Sequence, residues 1–193
     1  MEQKPHIALL PSPGMGHLIP LVEFAKLLLH HHDFHITCII PTIGSPSKAM
    51  KEILQDLPTS IDHVFLPPSL DYKLLSPCMT RSLPSLRDVL TSLVATTRLV
   101  ALVVGPFGTD ALDVAKELKV SPYIFYPTNA LVLSLVLNLP KLDETVSCEH
   151  RDLPEPVKLP GCIPIRGRDL IDPIQDRTSE WYKCFFTEQN RCD

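Results

Sequence analysis

His17 is the residue whose type and setting most invite chemistry. It closes the stretch Ile7-Ala8-Leu9-Leu10-Pro11-Ser12-Pro13-Gly14-Met15-Gly16-His17, in which four apolar residues run into a Pro/Gly turn. Residues 7–10 are too few for a helix and apolar on both faces, the pattern of a strand inside a parallel sheet. Beyond the turn the period changes. Leu18, Val22, Ala25 and Leu29 form one helical stripe, widened by Leu21, Phe24 and Leu28, with Glu23 and Lys26 opposite. The unit reads strand, turn, helix, with Gly14 and Gly16 relaxing the bend and His17 at the mouth of the helix. Ligands of open α/β sheets collect at the carboxyl ends of the strands, so His17 is expected to face that crevice. The positive end of the helix dipole disfavours the imidazolium and keeps a lone pair available, which is what a general base needs. A histidine that merely caps or packs the helix end would give the same pattern, and for a lone histidine that is the commoner outcome.

The elements that must position this turn follow in alternation. Residues 34–40 read as a second strand closed by Pro41, and Ser45-Pro46-Ser47 opens a helix to about residue 57, with serine as N-cap and proline in the first turn. Residues 64–66 form a third strand ended by Pro67-Pro68. Residues 84–95 are helical, with Leu86, Val89, Leu90 and Leu93 on one face. A fourth strand (99–104), a helix (109–118), a fifth strand (123–126) and an apolar helix (128–138) follow. This order predicts a doubly wound parallel sheet of at least five strands. From 139 to 177 the chain is interrupted by Pro140, Pro154, Pro156, Pro160, Pro164 and Pro173, which predicts an extended connection. Leu153, Val157, Leu159, Ile163 and Ile165 are spaced as anchors along it, and a last helix is expected over 177–186. The domain reading is residues 1–140 as one Rossmann-like domain, with 141–193 packed on it.

Composition narrows the partners. With 193 residues, 45% of them hydrophobic, the chain can bury one sizeable core. A net charge of −4 gives no broad basic field, so nucleic acid is not an expected partner. The apolar run behind the N-terminus is cut at Pro11, before signal-peptide length. The run 130–139 is far shorter than the ~20 residues a bilayer span needs. A cytoplasmic protein is therefore expected. Its six cysteines, Cys38, Cys78, Cys148, Cys162, Cys184 and Cys192, include no C-x-x-C pair, so they read as reduced thiols, several of them buried. The run His30-His31-His32 with His35 reads as a solvated helix end and not as a metal site.

Pro11-Ser12-Pro13-Gly14-Met15-Gly16-His17-Leu18-Ile19-Pro20-Leu21-Val22-Glu23-Phe24-Ala25-Lys26 resembles the N-terminal signature of plant UDP-sugar-dependent glycosyltransferases, within them the hydroquinone glucosyltransferase branch. Phe107-Gly108-Thr109-Asp110, Ser121-Pro122-Tyr123-Ile124-Phe125-Tyr126-Pro127-Thr128, Leu139-Pro140-Lys141-Leu142-Asp143-Glu144-Thr145-Val146-Ser147-Cys148 and Leu159-Pro160-Gly161-Cys162-Ile163-Pro164 match in the same order, and the similarity fades after about Cys184.

The resemblance implies a two-domain GT-B fold in which an N-terminal Rossmann-like half holds the acceptor and a C-terminal half grips the UDP-sugar. This chain looks like the first half alone, without the family's C-terminal donor-binding box. It implies inverting transfer of glucose from UDP-glucose to a small phenolic hydroxyl such as hydroquinone, with His17 as general base. Met15, Pro106 and Phe107 would lie on the acceptor side, and Ser12, Gly14 and Gly16 in the donor-side loop. UDP-glucose would be the co-substrate, and neither metal nor cofactor is implied. Two departures stand out. Gly105 occupies the place of the family's aspartate that bonds the catalytic histidine, and Asp110 and Asp113 are not obvious substitutes. The stretch between Leu66 and Arg81 is several residues shorter than the family's equivalent, which resembles a helix lining the acceptor pocket. Without the donor-binding half, the isolated chain is expected to be inactive. The alternative reading is a non-catalytic domain that binds small phenols or a partner.

Overall fold

Five apolar runs form the strands β1 (Pro5–Leu10), β2 (His35–Ile40), β3 (Ile61–Phe65), β4 (Arg98–Val104) and β5 (Ser121–Ile124). In the computed structural model, which describes residues 3–68, 75–179, 182, 183 and 186, they make one sheet in the order β3-β2-β1-β4-β5. Every pairing is parallel. Between them run α1 (Met15–His31), α2 (Lys48–Gln55), α3 (Leu75–Thr96) and α4 (Ala111–Glu117), and α5 (Ala130–Thr145) follows β5. Residues Met1–Phe125 and Tyr126–Asp193 are two separate units by their internal contacts.

Alternation along the strands makes the first unit doubly wound. Ile7 and Leu9 of β1 join Leu18, Leu21, Val22 and Ala25 of α1 and Met50 and Leu54 of α2 in one core. Ala8 and Leu10 point the other way, into a second core with Leu86 and Leu90 of α3 and Ala111, Val114 and Ala115 of α4. Two-sided burial is why residues 7–10 carry no polar position. Leu9 and Leu102 are wholly enclosed, so truncating either to alanine should cost about 2–5 kcal/mol.

The helices differ from the sequence expectations in instructive ways. The N-cap of α2 is Ser47, whose Oγ accepts the Met50 N–H, so Pro46 lies ahead of the helix and not in its first turn. Helix α3 begins at Leu75 and carries Pro84 in its interior. Cys78 and Met79, both buried, extend its apolar face upstream of the proline, and the Ser82 hydroxyl donates to the Cys78 carbonyl in the turn before it. Likewise α5, capped by the Asn129 side chain, runs through Pro140 to Thr145, with Leu135, Val136 and Leu139 buried. The expected break at residue 139 is therefore a helix, with Leu139 buried just before the proline and Leu142 half-buried just after it. Strands β3 and β5 begin about two or three residues before their expected starts, since each is fixed by its neighbour's register.

In the second unit the Pro-rich segment is organised by hydrogen bonds. Val157 and Ile165 exchange both backbone bonds in an antiparallel bridge. Short 3-10 turns occur at His150–Asp152, Gly167–Asp169 and Asp172–Ile174. Arg177 gathers the end of α5: its Nε donates to Asp143 Oδ1 at 2.8 Å and its Nη1 to the carbonyls of Val146 and Cys148. Its backbone N–H donates to Glu149 Oε2 at 2.7 Å. Of the expected anchors, Val157 and Leu159 are buried, whereas Ile163 is 76% exposed and does not anchor the segment. The expected C-terminal helix does not begin at Arg177, because residues 177–179 form a turn and a bend; Tyr182, Lys183 and Phe186 are helical, and residues 180, 181, 184 and 185 lie outside the described residues, as do Cys192 and residues 69–74 of the short connection.

Candidate functional site

The sheet order reverses between β1 and β4: the chain moves outward through β2 and β3, then returns to place β4 on the other side of β1. Loops leaving the carboxyl ends of two such strands diverge to opposite faces and leave a crevice between them. Leu10 ends β1 opposite Val104, the end of β4, and the Gly105 N–H donates to the Leu10 carbonyl at 2.8 Å, carrying the ladder one step further. The two loops that follow hold the candidate residues.

The first loop turns at Gly14, whose φ of 105° suits glycine, and its carbonyl accepts the N–H of His17 and Leu18 to start α1. The expectation that Gly16 shares the bend is corrected here. Gly16 lies in the first turn of α1 and is helical. His17 follows it on that turn, half-buried, with its ring edge-to-face against Phe107 of the second loop at 5.6 Å between centroids and 85° between planes. Burial holds the His17 imidazole below the usual histidine range. The direction matches that expected from the helix dipole, although loss of solvent is its cause.

Ser12 and Gly105 bring the loops into contact. Ser12 is 1% exposed, and its Oγ accepts the Phe107 N–H at 3.3 Å. A Cβ on Gly105 would lie 3.0 Å from both the backbone nitrogen and Oγ of Ser12. The geometry thus unites Ser12, Gly105, Phe107 and His17. Pro106 is buried between Gly105 and Phe107, and Met15 packs against the α1-side core while keeping part of its surface exposed.

Among the described residues, no carboxylate hydrogen-bonds the His17 ring, and burial alone accounts for its shift. Asp110 accepts from the Thr80 hydroxyl at 2.7 Å, and Asp113 faces Lys116 at 3.8 Å. Thr42, just beyond β2, is buried at the same edge, with no partner for its Oγ1 among the described residues. The sequence reading did not single it out, because a threonine after a strand is an ordinary turn residue.

The other candidate clusters resolve into structural roles. His30 and His31 end α1 exposed to solvent, and His35 pairs with Asp62 at 2.7 Å. Among the described residues, no group of three or more His, Cys, Asp or Glu could hold a metal ion, and no helix is long and apolar enough to cross a membrane. Cys38, Cys78, Cys148 and Cys162 form no disulfide; Cys38 and Cys78 are buried, Cys162 is half-buried and Cys148 is exposed.

A parallel, Rossmann-like sheet of this order is the fold of the N-terminal half of GT-B glycosyltransferases. No family model matches the chain. It is 56% identical over 200 residues to the hydroquinone glucosyltransferase of Rauvolfia serpentina, covering 99% of this chain and 43% of that protein. It is 57% identical over 192 residues to UDP-glycosyltransferase 72B1 of Arabidopsis thaliana, covering 94% and 40%. Over nearly its whole length the chain is similar to plant UDP-glycosyltransferases, and it spans about two fifths of the length of these relatives. Among solved structures it resembles Phytolacca americana UGT2 complexed with UDP-2fluoro-glucose and pterostilbene, with a TM-score of 0.94, 43% identity and coverage of 99% of this chain and 46% of that one. It also resembles a UDP-glucosyltransferase from Polygonum tinctorium capable of glucosylating indoxyl, in complex with 3,4-dichloroaniline, with a TM-score of 0.92, 50% identity and coverage of 97% and 44%.

Proposed function

We propose that this chain supplies the acceptor side of a cytoplasmic UDP-glucosyltransferase acting on small phenolic hydroxyls such as hydroquinone. The observation that carries this reading is His17, half-buried and held neutral, edge-on to Phe107 at the crevice between β1 and β4. A phenol would lie against Phe107, flanked by Pro106 and Met15, with its hydroxyl directed at the imidazole. His17 takes the phenolic proton as the oxygen attacks the anomeric carbon of UDP-glucose from the face opposite the leaving group. The carbon–oxygen bond to UDP breaks, UDP leaves with the electron pair, and the configuration inverts. The Ser12–Gly14–Gly16 side of the turn faces the donor. UDP-glucose is the co-substrate, and no cofactor or metal enters the step.

The test joins this chain to the remainder of a relative such as the Rauvolfia serpentina enzyme and measures hydroquinone glucoside formation. His17→Ala should lower turnover by about 10²-fold or more, the usual range for a lost general base. Unchanged turnover would sink the reading. A second reading, a domain that binds phenols without catalysis, is favoured by the lack of a carboxylate on the His17 ring among the described residues. It predicts hydroquinone binding to the fusion and no glucoside.

A further inference from the structure

We propose that Ser12 is a positioning residue for His17, acting through Phe107 and made possible by Gly105. This rests on the reading of His17 as the base, but its test does not depend on it. Phe107 meets the imidazole edge-on, so the place of the phenyl ring sets both how much solvent reaches His17 and how the ring can turn. That place is fixed at the backbone, where the Phe107 N–H is held by the Oγ of Ser12, a residue 95 positions earlier in the chain. Without this bond, one of the contacts that hold the two loops together is lost, and the loop after β4 could relax away from the loop after β1.

Gly105 decides whether the clamp can close. Ser12 approaches so near that a Cβ at position 105 would stand 3.0 Å from its nitrogen and its hydroxyl oxygen, tighter than ordinary van der Waals contact. Any side chain there must move Ser12 or be moved by it. The glycine and the serine contact are therefore one device: hydroxyl to backbone across the crevice, in place of a carboxylate on the imidazole. The bond is long for an N–H to hydroxyl contact, so its role is to restrain one loop against the other, with burial of the pair adding to the restraint.

The device is read directly by nuclear magnetic resonance of the 193-residue chain, with the His17 ring protons followed through a pH titration. In the wild-type chain their signals should be displaced by the Phe107 ring current and titrate below the ordinary histidine value of about 6.5. Ser12→Ala should reduce the displacement and move the midpoint up toward that value. Ser12→Cys, which keeps the shape of the side chain but is slightly larger and a poor acceptor, should do the same in part, and it carries the comparison if Ser12→Ala does not fold. Leu90→Ala, in the core on the α3 face, should destabilise the chain while leaving both His17 signals in place. The proposal is overturned if the His17 signals of the serine variants match wild type, or if Leu90→Ala moves them as far. Glucosyl transfer by the fused protein and its His17→Ala form reports separately on the base, so either idea can fail alone.

Discussion

Gly105 and Ser12 are in a contact that only glycine permits without adjustment: a Cβ on residue 105 would reach within 3.0 Å of two Ser12 atoms. Gly105 shows no positive φ, so the constraint is space and not backbone strain. Gly105→Ala should therefore fold but lose about 1–3 kcal/mol, the usual penalty for overpacking a closed site. Urea denaturation of the two chains checks this, and equal midpoints with equal slopes would show that Ser12 yields freely.

His6 predicts how stability depends on pH. It is buried on β1, 3% exposed, with Nε2 on the Thr37 hydroxyl at 2.8 Å and its ring tilted against His35 at 4.9 Å. Burial above all, then the neighbouring His35, lowers its pKa from 6.5 to about 4, while Asp62 opposes the shift. A base with a depressed folded value stabilises the neutral form. Its contribution is whole above 6.5, declines as the pH falls from 6.5, and is gone below about 4. The ceiling is roughly 3 kcal/mol from the size of the shift. Denaturation midpoints at pH 7, 5.5 and 4 should fall in that order, and His6→Gln should flatten the decline. A slope unchanged in His6→Gln would assign it to other groups.

What the sequence makes legible here is local. The unit from β1 to α1 is visible because two-sided burial writes a continuous apolar run and a helix writes a period of about 3.6 residues. His17 is visible because it interrupts both patterns. The Ser12–Phe107 bond and the gathering of Asp143, Val146, Cys148 and Glu149 by Arg177 join residues far apart in the chain, and no local period records them. Pro84 and Pro140 mislead for the opposite reason. Their local cost is visible, while the buried faces of α3 and α5 that offset it depend on the fold.

Arg177 should be the most sensitive polar residue of the second unit. Its side chain and backbone hold four residues at the end of α5 and beyond, and Tyr182 donates to the same Asp143 carboxylate. Arg177→Ala removes the cationic partner of that partly buried acid and the side-chain donor to the carbonyls of Asp143, Val146 and Cys148, at a cost of at least about 2 kcal/mol. Hydrogen exchange should show faster amides around the Val157–Ile165 bridge, with β1 and β4 unchanged. Uniform acceleration in both units would refute a local role.

The thiols offer a simple check of burial. Cys38, enclosed in the α1-side core, has its thiol pushed up to about 12, so it should resist iodoacetamide in the native chain, whereas exposed Cys148 should be alkylated. Peptide mapping after brief labelling separates the two. Labelling of Cys38 at the rate of Cys148 would mean that the sheet opens readily.

The 193-residue chain by itself should form no hydroquinone glucoside from UDP-glucose above a His17→Ala control. Catalysis by positioning requires both reactants to be held, and this chain spans about two fifths of its relatives' length. Product that disappears in the His17→Ala control would show that the acceptor side alone can recruit the donor.

The effect of a carboxylate at position 105 is best measured in the chain joined to the rest of a relative, and Gly105→Ala is the proper reference for it. Any side chain there presses on Ser12, so a comparison with wild type mixes the cost of displacing the loop with the gain from charge. Alanine carries the first effect without the second. An aspartate that reached the His17 ring would hold one tautomer and stabilise the imidazolium formed when the phenolic proton is taken. Gly105→Asp should therefore exceed Gly105→Ala in turnover by roughly 10²-fold or more. Against wild type the gain should be smaller by whatever Gly105→Ala loses. Adding His17→Ala should abolish the difference between the two variants, because the carboxylate acts only through the imidazole. If aspartate and alanine give equal turnover, the acid does not reach His17 past Ser12. If the gain survives without His17, the base lies elsewhere in the crevice.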